Sequence, residues 1–131
     1  MTPRTITQNI ETDAEPDTIF NLLADPRHLP AWAPAFADAI TGDERQGWQA
    51  IKNSLAFSLR VATEQHSRTV DYLRDIGSGR EGGAYTRVLP GPEGGSVVVM
   101  TVPLPPGVGP ETAIAGLREE LETLARLTEV V

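Results

Sequence analysis

The sequence predicts an α+β domain in which one strand, two short helices, about six antiparallel strands and one long C-terminal helix follow in that order. Three observations carry the prediction. The opening RTITQNIET sets Ile6, Gln8 and Ile10 against Thr5, Thr7 and Asn9, the period-two alternation of a strand over residues 4 to 12. Residues 35 to 104 are short runs of β-branched and aromatic residues punctuated by TGDERQG, GSGREGG and PGPEGG, which read as hairpin turns. After PLPPGVGP the apolar residues Ile114, Leu117, Leu121 and Leu124, continued by Thr128, recur with the period of a helix.

Each element has its own justification. In EPDTIFNLLADP, Pro16 suits a first helical position, Glu15 and Asp17 lie beside the positive end of the helix dipole, and Ile19, Phe20 and Leu23 share one face. This helix must stop near Ala24, because Pro26 disfavours the helical region for Asp25. Asp25 followed by Pro26 is in turn an N-cap and N1 pair, so a second, one-turn helix is expected to end at Leu29 before Pro30. Trp32 then rides on a backbone stiffened by Pro30 and Pro34. Strands are expected near 36 to 42, 47 to 53, 55 to 64, 67 to 75, 84 to 90 and 95 to 103. In LAFSLRVATE, Leu55, Phe57, Leu59 and Val61 oppose Ala56, Ser58, Arg60 and Ala62, as in an antiparallel sheet wet on one face. VVVMTV, residues 97 to 102, is apolar on both faces and belongs in a central or covered strand. Pro110 and the four-residue spacing of Glu122 and Arg126 support the terminal helix.

Composition bounds the function. A chain of 131 residues fits one domain, 1–131, able to bury about two thirds of its unfolded surface. No apolar run is long enough to cross a bilayer, so stable membrane insertion is not expected, and MTPRTITQNIETD has no hydrophobic signal core. With no cysteine there is neither disulfide nor thiolate metal site, and the plain expectation is a cytoplasmic protein. The net charge of −7, with ten arginines and a single lysine scattered along the chain, argues against nucleic acid as partner.

The element order, the phrase IETDAEPDTIFNLLADPRHLPAWAPAF and the closing amphipathic helix together resemble the START/Bet v 1-like superfamily, also called SRPBCC, and within it the small bacterial polyketide cyclase-like proteins. The resemblance implies a helix-grip fold, a curved antiparallel sheet of about six to seven strands around the long C-terminal helix. It also implies a cavity between them whose mouth lies near the short helices, and binding of lipids, sterols, polyketides or other hydrophobic molecules, with cyclisation or aromatisation in some members. On that arrangement the proline-rich corner DPRHLPAWAP closes one side of the hollow. The expected ligand-binding lining is Trp32, Phe36, Trp48, Phe57, Leu59, Tyr72, Tyr85, Met100, Ile114, Leu117 and Leu121. An apolar hollow of this kind takes apolar guests.

The residues give no convincing catalytic set. GSGREGG contains GxGxxG at Gly77, Gly79 and Gly82, but a strand and not a helix follows, so it reads as a hairpin loop rather than a nucleotide site. His28 and His66 are too few for a histidine-rich metal centre, and no metal or cofactor is expected. The candidates for chemistry are His66, Asp71, Tyr85 and Arg87. His66 could remove a proton beside a carbonyl, although strict alternation from Ala56 places it outside. An inward Arg87 would require a carboxylate partner; on the wet face it would pair with an acid such as Asp71. Three functional classes remain. The first is a binding module for a small hydrophobic or amphipathic molecule; the second is a cyclase or aromatase using polar groups in the same cavity; the third is an interaction or oligomerisation protein, such as a homodimer, with a filled core.

Overall fold

The computed structural model describes residues 4–129. Strand β1 (Thr5–Thr12) leads into helix α1 (Pro16–Ala24), a 3-10 turn (Pro26–His28) and the one-turn helix α2 (Leu29–Trp32). Six strands follow, β2 (Ala39–Asp43), β3 (Gly47–Lys52), β4 (Leu55–Glu64), β5 (Thr69–Gly77), β6 (Arg80–Pro90) and β7 (Ser96–Pro103), and helix α3 (Pro110–Leu127) ends the described chain. All strands belong to one antiparallel sheet in the order β1-β7-β6-β5-β4-β3-β2. The first strand thus closes against the last, and only β1 and β2 are edges.

The predicted boundaries shift where turns are tighter or looser than the composition suggests. GSGREGG is mostly strand: Ser78 and Gly79, with φ of 57° and 72°, make the two-residue turn and β6 begins at Arg80 instead of residue 84. Positive φ at both turn positions matches the right-handed twist of the flanking strands. At the other end of β5, Arg68 has φ of 54°, so Ser67 and Arg68 fall in the turn. Residues 36 to 38 are not strand, because the amides of Phe36 and Ala37 donate to the Ala33 carbonyl and continue the corner. Pro30 does not end the helical segment as expected. It occupies the first turn of α2, where a missing N–H costs nothing, and so Trp32 stands on a helical turn. The Asp25 carboxylate caps the 3-10 turn by accepting from the Arg27 amide. Arg126, expected by spacing beside Glu122, donates to the Thr123 hydroxyl.

Register fixes the two faces of the sheet. The pairs Trp48–Leu59, Ala50–Phe57, Val61–Tyr72, Thr63–Val70, Val70–Thr86, Tyr72–Ala84, Thr86–Met100, Val88–Val98, Val98–Ile10 and Val102–Ile6 place these side chains on the inner face. Helix α1 buries Ile19, Phe20 and Leu23, and α3 buries Leu117, Leu121 and Leu124, in a single cluster with Val70, Tyr72, Val88, Val98 and Met100. Leu55 starts the inward set of β4 yet is 73% exposed, because it lies at the β3–β4 turn beyond the reach of either helix.

One buried hydrogen bond ties helix to sheet. The Tyr72 hydroxyl donates to the Leu23 carbonyl at 2.5 Å, satisfying one of the free carbonyls of the last turn of α1. Burial pushes the Tyr72 phenol well above its ordinary range, so it serves as a neutral donor. Tyr72→Phe leaves a buried carbonyl without its partner and should cost about 1–3 kcal/mol in urea unfolding. A midpoint unchanged from wild type would mean that the bond contributes nothing.

Candidate functional site

The space between sheet and helices is only partly filled. Toward the C-terminal end of α3, Leu121 and Leu124 are fully buried in the core shared with Ile19 and Leu23 of α1. Toward its N-terminal end, α3 presents Ala113 and Gly116 beside Leu117, and these small residues leave a gap. A methyl group added at Gly116 would meet nothing within 4 Å. The result is a cavity of about 420 Å³ bounded by α2, the first half of α3 and strands β1, β5, β6 and β7.

The lining is mostly apolar: Ile6, Leu29, Trp32, Ala33, Phe36, Tyr72, Ala84, Met100, Val102, Val108 and Leu117 contribute to it. Ala35, Pro103, Pro105, Arg74 and Gly116 are its exposed members and form the rim. The corner around Pro30 and Pro34 therefore does border a hollow. Trp32, 2% exposed, sits on α2 with its ring 6.1 Å from that of Tyr72 and tilted 54° to it. At the rim, the Arg74 guanidinium lies 4.0 Å above the Phe57 ring, a cation–π contact, and Phe57 meets Phe36 edge-on at 5.6 Å.

Few polar groups face this space. The Trp32 indole N–H is not among them, being buried out of reach of the cavity and without a hydrogen-bond partner in the protein, an uncommon and costly state for such a donor. Glu120, half-buried, contributes to the lining from α3. Desolvation, assisted by the neighbouring Glu119 charge, raises its pKa from 4.5 to about 7. The carboxyl is thus near half-protonated at neutral pH, the condition in which a group can both take up and release a proton. Among the described residues, no three histidine or acidic side chains gather as a metal site would require.

The predicted lining residues divide by strand face and helix turn. Trp32, Phe36, Tyr72, Met100 and Leu117 lie at the cavity. Phe57 stands one ring behind it, against Phe36. Leu59, Leu121 and Ile114 pack in or against the core elsewhere. Trp48 borders a separate, polar groove with Arg60, Arg80 and Glu81. Tyr85 is a correction: it is 45% exposed on the outer face, since Ala84, Thr86 and Val88 take the inner positions of β6. Asp71 pairs with Tyr85 across the strands and shares that outer face, as does Arg87 two residues on. His66 lies exposed in the β4–β5 turn, its amide held by the Glu64 carboxylate. None of the four candidates for chemistry reaches the cavity.

The residues that sequence reasoning missed are Glu120, Arg74, Ala113 and Gly116. Arg74 was legible by counting alternate residues from Val70 through Tyr72. Glu120 was legible from its position three residues after Leu117, but its charge argued for the solvated side of the helix.

A family model described as polyketide cyclase / dehydrase and lipid transport matches residues 3–129. The chain belongs to this family. Among solved structures it is similar to a protein of Chromobacterium violaceum, with 17% identity, a TM-score of 0.69, and coverage of 98% of this chain and 100% of that one. A START superfamily protein from Mycobacterium smegmatis matches with 14% identity and a TM-score of 0.67 over 96% of this chain and 97% of that one. The di-domain ARO/CYC protein BexL of the BE-7585A biosynthetic pathway matches with 18% identity and a TM-score of 0.67 over 95% of this chain and 46% of that one. At these identities the likeness is one of fold. No curated protein matches this chain.

The raised pKa of Glu120 has a defined sign. An acid whose folded-state pKa lies above its unfolded value holds its proton more tightly when folded, so stability falls as pH rises from about 4.5 to about 7. Glu120→Gln removes this fall: the stability difference between variant and wild type should widen in the variant's favour across that window. A carboxyl titration by carbon NMR should place the wild-type midpoint near 7, and a midpoint near 4.5 would contradict the desolvated setting.

Proposed function

We propose that this chain, a member of the polyketide cyclase / dehydrase and lipid transport family, binds a small hydrophobic or amphipathic molecule in the cavity between α2, α3 and the sheet. The observation that carries this reading is the cavity itself. Its volume of about 420 Å³ falls in the range of sites for small molecules, and its wall is aliphatic and aromatic with few polar groups. Burial of apolar surface drives entry. The helical turn that carries Trp32 supplies a rigid flat wall, and Arg74 at the rim can meet a polar end of the guest from outside. Absence of a described helix long and apolar enough to cross a membrane accords with a carrier that meets its ligand from solution.

The second reading is a cyclase- or aromatase-type reaction in the same cavity. Glu120 favours it, as a carboxyl poised near neutrality in an apolar setting suits proton transfer beside a carbonyl. His66, Asp71, Tyr85 and Arg87 give it no support, being outside.

Binding by fatty acids, sterols and aromatic polyketides should raise the melting temperature, because a ligand at a hundredfold its Kd adds about 2.7 kcal/mol. Gly116→Leu separates this from surface association. Gly116 is exposed at the rim with nothing within 4 Å of an added Cβ, so the variant should fold, with the helix relieved of a glycine that costs about 0.5–1 kcal/mol relative to alanine, and a side chain at the mouth should reduce the ligand shift. Absence of a shift with every class of ligand, or a shift equal in wild type and Gly116→Leu, would count against the cavity as the binding site.

A further inference from the structure

Among the described residues, Arg74 is the one cation that borders the cavity, and it makes no ion pair. Register aims it inward, since Val70, Tyr72 and Arg74 alternate along the inner face of β5. Its cross-strand neighbour on β6 is Gly82, which has no side chain to pair with it, and the side chain nearest that glycine is the apolar Ile76. The nearby acids are committed elsewhere: the Asp75 carboxylate accepts from the Gly77 amide, and the Glu81 carboxylate is held by Arg60. The Arg74 guanidinium lies 4.0 Å over the Phe57 ring, and Phe57 in turn meets Phe36 of the cavity wall. The aromatic contact holds the charge beside the mouth, so that little ordering is left for a guest to impose.

We infer that the cavity selects an amphiphile with a carboxylate end, whose apolar body fills the hollow and whose carboxylate meets the Arg74 guanidinium at the rim. A guanidinium presents its N–H groups as a fork that matches a carboxylate, and such charge-assisted hydrogen bonds are the stronger kind. At the rim the carboxylate keeps water on its free side and so avoids the cost of full burial. A neutral alcohol of the same length would fill the hollow equally and leave Arg74 to water. The net charge of −7 repels anions from the protein at large, so a preference for a carboxylate has to come from a local cation. Glu120 is the other charged residue of the lining; desolvation favours its neutral form, which does not repel an anion. This inference rests on the reading that the cavity holds an apolar molecule, and it adds what that molecule carries at its end.

Three probes of one chain length test it: decanoate, 1-decanol and decylamine, titrated calorimetrically below their micelle concentrations at about pH 6, with circular dichroism as the check of folding. At that pH decanoate is ionised, decylamine is protonated and Glu120 is mostly neutral. Wild type should bind decanoate about fivefold more tightly than decanol, and decylamine no more tightly than decanol. Arg74→Gln should bring decanoate to the level of decanol or below, while decanol itself stays within about twofold of its wild-type affinity. Arg74→Lys, which keeps the charge and loses the fork, should retain part of the preference. Arg87→Gln, which removes a cation from the outer face, should leave it unchanged. Decanoate bound no more tightly than decanol by wild type, a preference that survives Arg74→Gln, or one that Arg87→Gln abolishes as fully would overturn the inference while leaving the cavity as a binding site. Failure of all three probes to bind wild type would overturn the inference together with the reading beneath it.

Discussion

The architecture depends on uneven packing along α3. Over its second half, Leu121 and Leu124 meet α1 and the inner face of the sheet in a core without exposed apolar area, and this contact fixes the helix in place. One turn earlier and beyond, the residues of α3 at the cavity are Ala113, Gly116, Leu117 and Glu120; Leu117 still joins the core, while the small side chains of Ala113 and Gly116 leave room beside it. The cavity follows from these residue sizes and requires no special loop to keep it open. The Tyr72 hydroxyl bond to Leu23 contributes to the same end, locking the end of α1 onto β5 at the floor of the hollow.

The chemistry of the wall follows from the geometry. Because the cavity is lined by carbon, any polar atom on it sits in a poor solvent and is perturbed. Glu120 responds by holding its proton up to about neutral pH. Arg74 escapes the same cost by lying at the rim, where its guanidinium keeps water on one side and the Phe57 ring on the other. Charged pairs of the ordinary surface type, such as Arg60 with Glu81 and Arg68 with Asp17, lie away from the cavity and carry little of the stability.

Much of the fold was legible in the sequence because three periodicities were clean: alternation in β1 and β4, the 3.6 stripe of α3, and the proline-marked starts of α1 and α3. The turns were less legible. GSGREGG contains four glycines, yet only the Ser78–Gly79 pair turns; Gly83 is required inside a strand, where a Cβ would collide with the Tyr72 carbonyl. For the cavity, aromatic residues were natural candidates, and several of them lie there, but size alone could not separate wall from core, as Leu59 and Leu121 illustrate. Tyr85 was misplaced in prospect because the facing of β6 could not be read before its register was known, whereas Asp71 and Arg87 lie on the outer face that the wet-face alternative gave them. Glu120 escaped notice since a glutamate on a helix is ordinarily solvated; only the absence of bulk at Ala113 and Gly116, one and two turns earlier, signals that it has an apolar neighbourhood.

The central claim is that a hollow lined by carbon persists between the first half of α3 and the sheet. Xenon occupies such spaces without hydrogen bonds and without demanding any particular guest. A crystal of the protein pressurised with xenon should show density bounded by Trp32, Tyr72, Met100 and Leu117. Side chains closed over that position, with xenon absent in the wild-type crystal, would contradict the account.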